Sequence, residues 1–151
     1  MNLSAHTIAV GISQRTEPDA IDGIAHNIFN DPTSPVDTIL AFNIPNNRAM
    51  MHLDTVFTQI DVDKFTIHPG IMGPLTVFEI TPDGNGGTKI RERDEDLESI
   101  LTEYVGQPVK LIPCGGGDRI AAEREQWNDG SNTLCVRPGT VVVYQRNNVT
   151  N

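Results

Sequence analysis

Met51-His52-Leu53-Asp54-Thr55-Val56-Phe57 sets an imidazole and a carboxylate two positions apart. If this segment belongs to a strand over Met51–Ile60, His52 and Asp54 share one face, because strand side chains alternate. Leu53, Thr55 and Phe57 then take the other face. A carboxylate beside an imidazole favours the imidazolium form, and such a pair in a cleft suits proton shuttling. The plainer alternative is the wet side of a half-exposed edge strand. Arg15, in Gly11-Ile12-Ser13-Gln14-Arg15-Thr16, is a second candidate. It lies between a buried strand and a helix, where α/β folds bind ligands. A guanidinium there can grip a carboxylate through two parallel hydrogen bonds, or stay solvated in a surface turn.

Other chemistry is thinner. Gly115-Gly116-Gly117-Asp118 precedes a helix but matches neither GxGxxG nor GxxxxGK[ST], and Asp118 would repel a phosphate while capping the helix. It reads as a tight turn plus N-cap. Cys114 follows Pro113 near a helix start, yet nothing pairs it with a base. It reads as a buried or inert thiol, as does Cys135. His6, His26, His52 and His68 are far apart, with no CxxC, HExxH or zinc spacing, so no metal is expected. Trp127 to Asn132 reads as a turn with a packing aromatic, and Asp129-Gly130 as a hairpin signal.

The elements that must position these residues alternate between the two periodicities. Thr7–Gly11 reads as a buried strand. A helix follows, with Thr16 as N-cap, Pro18 in the first turn and a stripe of Ala20, Ile21, Ile24, Ala25, Ile28 and Phe29. Asn30 to Pro35 ends it. Strands are expected at Thr38–Phe42, Met51–Ile60, Lys64–Ile67 and Thr76–Ile80. The last is joined to Thr88–Ile90 through the turn Pro82-Asp83-Gly84-Asn85-Gly86-Gly87. A second helix spans about Asp94–Tyr104, with Leu97, Ile100, Leu101 and Tyr104 on one side. Val109–Ile112, a short helix Asp118–Gln126, and strands Thr133–Val136 and Thr140–Tyr144 complete the chain. The order repeats, weakly at residue level, over about 65–70 residues. No linker separates the two halves, so they are expected to be two units, 7–68 and 76–144, of a single domain.

Composition narrows the classes. The chain has 151 residues, 38% of them hydrophobic, and a net charge of -9. That is the range of one globular domain. The 11 Lys and Arg form no cluster, so a nucleic-acid partner is not expected. The acidity fits a cationic ligand, but is also an ordinary route to solubility. No run approaches the ~18–20 apolar residues of a membrane span. Two cysteines and an N-terminus without a signal-like segment make a cytoplasmic location the default expectation.

Met51–Phe57, with Lys64-Phe65-Thr66-Ile67-His68-Pro69, closely resembles arginine deiminase, of the guanidino-group-modifying superfamily. Ile112–Asp118, the run Arg124–Leu134 and Val141–Asn147 resemble that family's later region. Gly11–Thr16 is similar to its segment bearing a substrate-binding arginine. The similarity extends over essentially the whole chain. It implies a pentein-type five-bladed α/β propeller that hydrolyses L-arginine to L-citrulline and ammonia without metal or organic cofactor. A cysteine near the family's C-terminus attacks the guanidinium carbon. Carried over, His52 is the general acid/base, Asp54 a guanidinium-binding carboxylate, and Arg15 the group that holds the substrate carboxylate. A single imidazole can serve both steps of such covalent catalysis.

The resemblance also implies what lies elsewhere. The family's nucleophile corresponds to a point beyond Asn151, where neither Cys114 nor Cys135 stands, and its other guanidinium-binding acids correspond to points before Met1. Family chains are more than twice as long. The chain is therefore expected to be about two blades of five, without turnover of its own and self-associating as a homo-oligomer through open blade edges. A non-catalytic arginine-binding or structural module is the alternative.

Overall fold

A computed structural model describes residues 1–73 and 75–151. Strand β1 (Thr7–Ile12) leads through helix α1 (Pro18–Phe29) to β2 (Thr38–Asn43), and the two strands pair in parallel. The α1 stripe buries Ile21 and Ala25 against Ile39, Ala41 and Ile80. Thr38 to Phe42 are buried throughout, as expected of a strand covered on both faces. The expected hairpin forms β5 (Val77–Pro82) and β6 (Thr88–Arg93), and β5 pairs with β2. A four-stranded sheet of order β1-β2-β5-β6 results.

A second sheet, of order β3-β4-β7, is built from β3 (Phe57–Asp61), β4 (Lys64–Ile67) and β7 (Lys110–Pro113). The β3–β4 pair is antiparallel and the β4–β7 pair parallel, with helix α3 (Leu97–Val105) on the path between the latter two. Strands from both expected halves thus share sheets. Leu40, Phe42, Phe57, Phe65, Ile67, Ile100 and Leu101 join in the larger core. Phe57 and Phe65 stack with centroids 4.9 Å apart. Buried Arg93 fastens the β5–β6 hairpin to α3, pairing with Glu79 at 3.0 Å, Glu95 at 2.8 Å and Glu103 at 2.6 Å.

Helix α4 (Arg119–Gln126) starts where expected, with Asp118 accepting from the Ala121 amide at 2.7 Å. Gly115 has φ +73°, and a Cβ there would come 2.3 Å from the Ala122 nitrogen. The turn therefore admits only glycine at this position. Strands β8 (Leu134–Arg137) and β9 (Thr140–Val142) form a separate hairpin.

Four expectations differ from the structure. Asp129-Gly130 joins no two strands but continues the turns after α4, its Gly130 amide donating to the Glu125 carbonyl at 2.8 Å. Met51–Ile60 is not one strand: helix α2 (Leu53–Val56) occupies its first part, and β3 begins only at Phe57. Leu53 and Val56, three apart, are both buried, which a helical turn achieves and alternation does not. Thr16 is not the α1 cap. That place belongs to Glu17, without a side-chain bond, and Pro18 opens the helix instead. Trp127 does not pack inward; it is 69% exposed.

Candidate functional site

The three residues singled out from sequence lie on the loop after β1 and at the start of α2, which adjoin. Beyond β1, Ser13 and Thr16 exchange backbone hydrogen bonds of 3.1 and 3.3 Å, so Gln14 and Arg15 form the tip of a tight turn. Ser13 Oγ accepts from the Arg15 amide at 3.1 Å and donates to the Met51 carbonyl at 2.6 Å. The Arg15 turn is thereby tied to the residue preceding His52. Arg15 is exposed, and its Nη2 is 3.7 Å from Met51 Sδ.

His52 is the extended residue at the N-terminal boundary of α2, and Asp54 stands in the first turn. Both are exposed. The alternation argument that placed them together therefore does not hold here, because residues two apart on a helical turn do not face each other. The backbone of His52 is braced by Thr55, whose Oγ1 donates to the His52 carbonyl at 2.6 Å. Burial holds the Met1 amine below its ordinary value, and the Asp54 charge pulls it back up.

The His52 segment is gripped from its other side by a residue that sequence reasoning missed. Gln126, at the end of α4, donates its Nε2 hydrogens to the Ala49 carbonyl at 2.7 Å and the Thr55 carbonyl at 2.8 Å. Ser13 pulls on the middle of this segment and Gln126 on both ends. Underneath, a Cβ at Gly11 would come 3.1 Å from Leu53 Cβ, so β1 and α2 are in close approach. Neither Ser13 nor Gln126 stands out by periodicity. Their partners are 38, 71 and 77 residues away.

The cysteines stand apart from these loops. Cys114 is fully buried, its Sγ 3.3 Å from Thr150 Oγ1. Cys135 lies on β8, its Sγ directed to the carbonyls of Ile60 and Arg137. Next to Gln126, the buried Glu125 accepts from the amides of Val149 at 3.0 Å and Thr150 at 2.9 Å. Burial works to raise the Glu125 carboxyl, but these bonds and the Thr150 hydroxyl outweigh it and hold it below the ordinary value. Among the described residues, no three His, Cys, Asp or Glu side chains gather to hold a metal. No described helix is long and apolar enough to cross a membrane.

The family profile that matches is that of arginine deiminase, and it covers residues 1–151. The chain belongs to the arginine deiminase family. An arginine deiminase of Treponema denticola is 61% identical over 153 aligned positions, taking in 100% of this chain and 37% of the relative. One of Clostridium perfringens is 54% identical, over 99% of this chain and 37% of the relative. One of Lentilactobacillus hilgardii is 51% identical, over 99% and 36%. The chain thus spans just over a third of the curated relatives it matches.

Proposed function

We propose that residues 1–151 supply the substrate-handling part of an arginine deiminase, which hydrolyses L-arginine to L-citrulline and ammonia. The observation that supports this most is the Ser13–Met51 hydrogen bond at 2.6 Å. It draws a loop bearing a guanidinium up to a segment bearing an imidazole and a carboxylate, in a chain of that family. In this reading Arg15 holds the substrate carboxylate and Asp54 the substrate guanidinium. A cysteine outside this segment forms an S–C bond to the guanidinium carbon. The C–N bond then breaks, and His52 gives its proton to the departing ammonia. His52 next takes a proton from water, whose oxygen adds to the same carbon, and the C–S bond breaks to leave the ureido group. Cys114 and Cys135 serve no part in this, since their partners are structural.

The blade architecture is part of the same proposal. Two parallel strand pairs, β1 with β2 and β4 with β7, each have a helix on the path between them. These pairs are the repeated element of the α/β propeller. The test is complementation. The 151-residue chain alone should release no citrulline. Mixed with the remaining two thirds of a family relative it should release ammonia from arginine, and His52→Ala should abolish that release. Turnover by the chain alone that survives Cys114→Ala and Cys135→Ala, or full complementation by His52→Ala, overturns the assignment.

A further inference from the structure

Four pairs in the chain set Asp or Asn directly before Gly: Asp22-Gly23, Asp83-Gly84, Asn85-Gly86 and Asp129-Gly130. Such a pair can close on itself, because glycine has no Cβ to keep its amide nitrogen away from the preceding side-chain carbonyl carbon. The structure separates the four. Gly23 lies inside α1, where helical hydrogen bonds hold its amide. Gly130 is buried, and its amide donates to the Glu125 carbonyl at 2.8 Å. Asp83 offers a carboxylate, which lacks a good leaving group. Its Oδ1 already accepts from the Asn85 amide at 2.7 Å and the Gly87 amide at 2.9 Å.

Asn85-Gly86, the single Asn-Gly pair of the sequence, is placed differently. It sits in the turn between β5 and β6, and both residues are exposed. Asp83 pins the amides on either side, those of Asn85 and Gly87. The Gly86 N–H between them makes no hydrogen bond among the described residues, and neither does the Asn85 side chain. Gly86 is engaged through its carbonyl, which accepts from Asn30 Nδ2 at 3.3 Å. Its φ of +88° lies where a residue with a Cβ is strained, so the turn itself calls for glycine here. The attacking nitrogen and the side chain it attacks are therefore both free. No hydrogen bond to either reacting group has to break before they meet.

We propose that Asn85 is a site of self-modification, converted to aspartate and isoaspartate in the folded chain. The Gly86 nitrogen bonds to Asn85 Cγ and the Cγ–Nδ2 bond breaks. Nδ2 leaves as ammonia, taking up the proton of the Gly86 amide, and a five-membered imide remains. Water then opens the ring. Cleavage between Cγ and the Gly86 nitrogen gives aspartate on the ordinary backbone. Cleavage between the Asn85 main-chain carbonyl carbon and that nitrogen gives isoaspartate, whose backbone runs through the former side chain and is one methylene longer. Water is the one reagent, and nothing is oxidised or reduced. Either product places a new negative charge two residues from Asp83. The isoaspartyl form also stretches the span between the two amides that Asp83 Oδ1 holds. The Asn30–Gly86 bond that ties this turn to the end of α1 is then displaced. This site is separate from the Arg15 and His52 segments and does not depend on the reaction proposed for them.

The test is peptide mapping of the 151-residue chain, kept folded in warm, mildly alkaline buffer. Trypsin releases residues 65–89, in which Asn85 is the single asparagine and glutamine is absent. An amide-to-acid mass change in this fragment therefore reports Asn85 alone. Two products of equal mass, separable by chromatography, are expected, each with one heavy oxygen when the water is labelled. The rate should lie within about threefold of that of the free peptide Pro82–Lys89, since the fold withholds neither reacting group. Gly86→Ala should slow conversion by about tenfold or more, in the peptide as in the chain. Isoaspartate at residues 22 and 129 should appear only when urea unfolds the chain. Conversion of Asn85 more than about tenfold slower in the folded chain than in the peptide overturns the proposal. So does earlier conversion of another asparagine, or isoaspartate at residue 129 of the folded chain as early as at residue 85.

Discussion

Ser13→Ala removes one oxygen and nothing else from the joint between the two candidate loops. That oxygen makes a 2.6 Å bond to the Met51 carbonyl and a 3.1 Å bond from the Arg15 amide. A typical net contribution is about 0.5–1.5 kcal/mol per hydrogen bond. Ser13 is only half-buried, so water recovers part of the loss. About 1–2 kcal/mol is then expected, which for a chain of this size lowers Tm by roughly 2–8 °C. The loss should be local as well as global. In hydrogen exchange, the Arg15 amide should exchange faster in the variant, and amides of β5 and β6 should change only with global stability. Ser13→Thr, which keeps the hydroxyl, should retain most of the Arg15 protection. An unchanged Tm together with unchanged Arg15 exchange would show that the two loops are held by something other than this side chain.

Gly11→Ala should push α2 away from β1, since the new methyl meets Leu53 Cβ at 3.1 Å and its backbone nitrogen at 3.2 Å. A cost of about 1–3 kcal/mol and shifted NMR resonances for His52 and Asp54 are expected, whereas an unshifted spectrum would mean that the strand has slack to give. Arg93→Met leaves Glu79 with Arg91 as its one remaining guanidinium partner, at 2.9 Å, and removes the shared partner of Glu95 and Glu103. It should destabilise by about 2–4 kcal/mol, below the full range for a broken buried pair because Glu95 and Glu103 stay near water. The same cluster predicts acid sensitivity. Arg93 holds the Glu95 carboxyl down at about 2. For Glu79 burial pushes up, but Tyr104, Arg91 and Arg93 prevail and leave it low. Carboxyls depressed on folding stabilise above their unfolded value near pH 4.3, and that stability goes as pH falls toward 2. Urea midpoints measured from pH 5 to 2 should fall steeply in the native chain and less steeply in Arg93→Met; parallel curves would contradict this. Leu134, Val136 and Val142 on the β8–β9 hairpin, and Tyr144 just after it, expose apolar surface. Light scattering at micromolar concentration should give a mass above one chain that Val136→Lys lowers, and a single-chain mass in the native protein would end that expectation.

The sequence carried the long-period information well and the short, non-local information poorly. The α1 stripe and the Pro82–Gly87 turn are local signals, and their elements appear close to where they were expected. The α2 turn is different. Its two buried residues, Leu53 and Val56, are too few to impose a period, and the surface they pack beside includes Gly11, some forty residues earlier. His52 and Asp54 were legible as residue types through their resemblance to the family segment, but the geometry inferred for them was that of a strand. Which strands share a sheet was likewise hidden, because an alternating pattern says which face is buried and not which edge it meets. Trp127 misled for a different reason: aromatics are usually buried, and a residue type alone does not say which face of a turn it takes.

Helix α4 is only eight residues long, yet its last two carry opposite errands. The amide of Gln126 holds the stretch around His52, and the carboxylate of Glu125 holds Val149 and Thr150. One two-residue step at the end of this helix therefore fastens both the stretch around His52 and residues 149–150, so a substitution that unseats α4 loosens both at once.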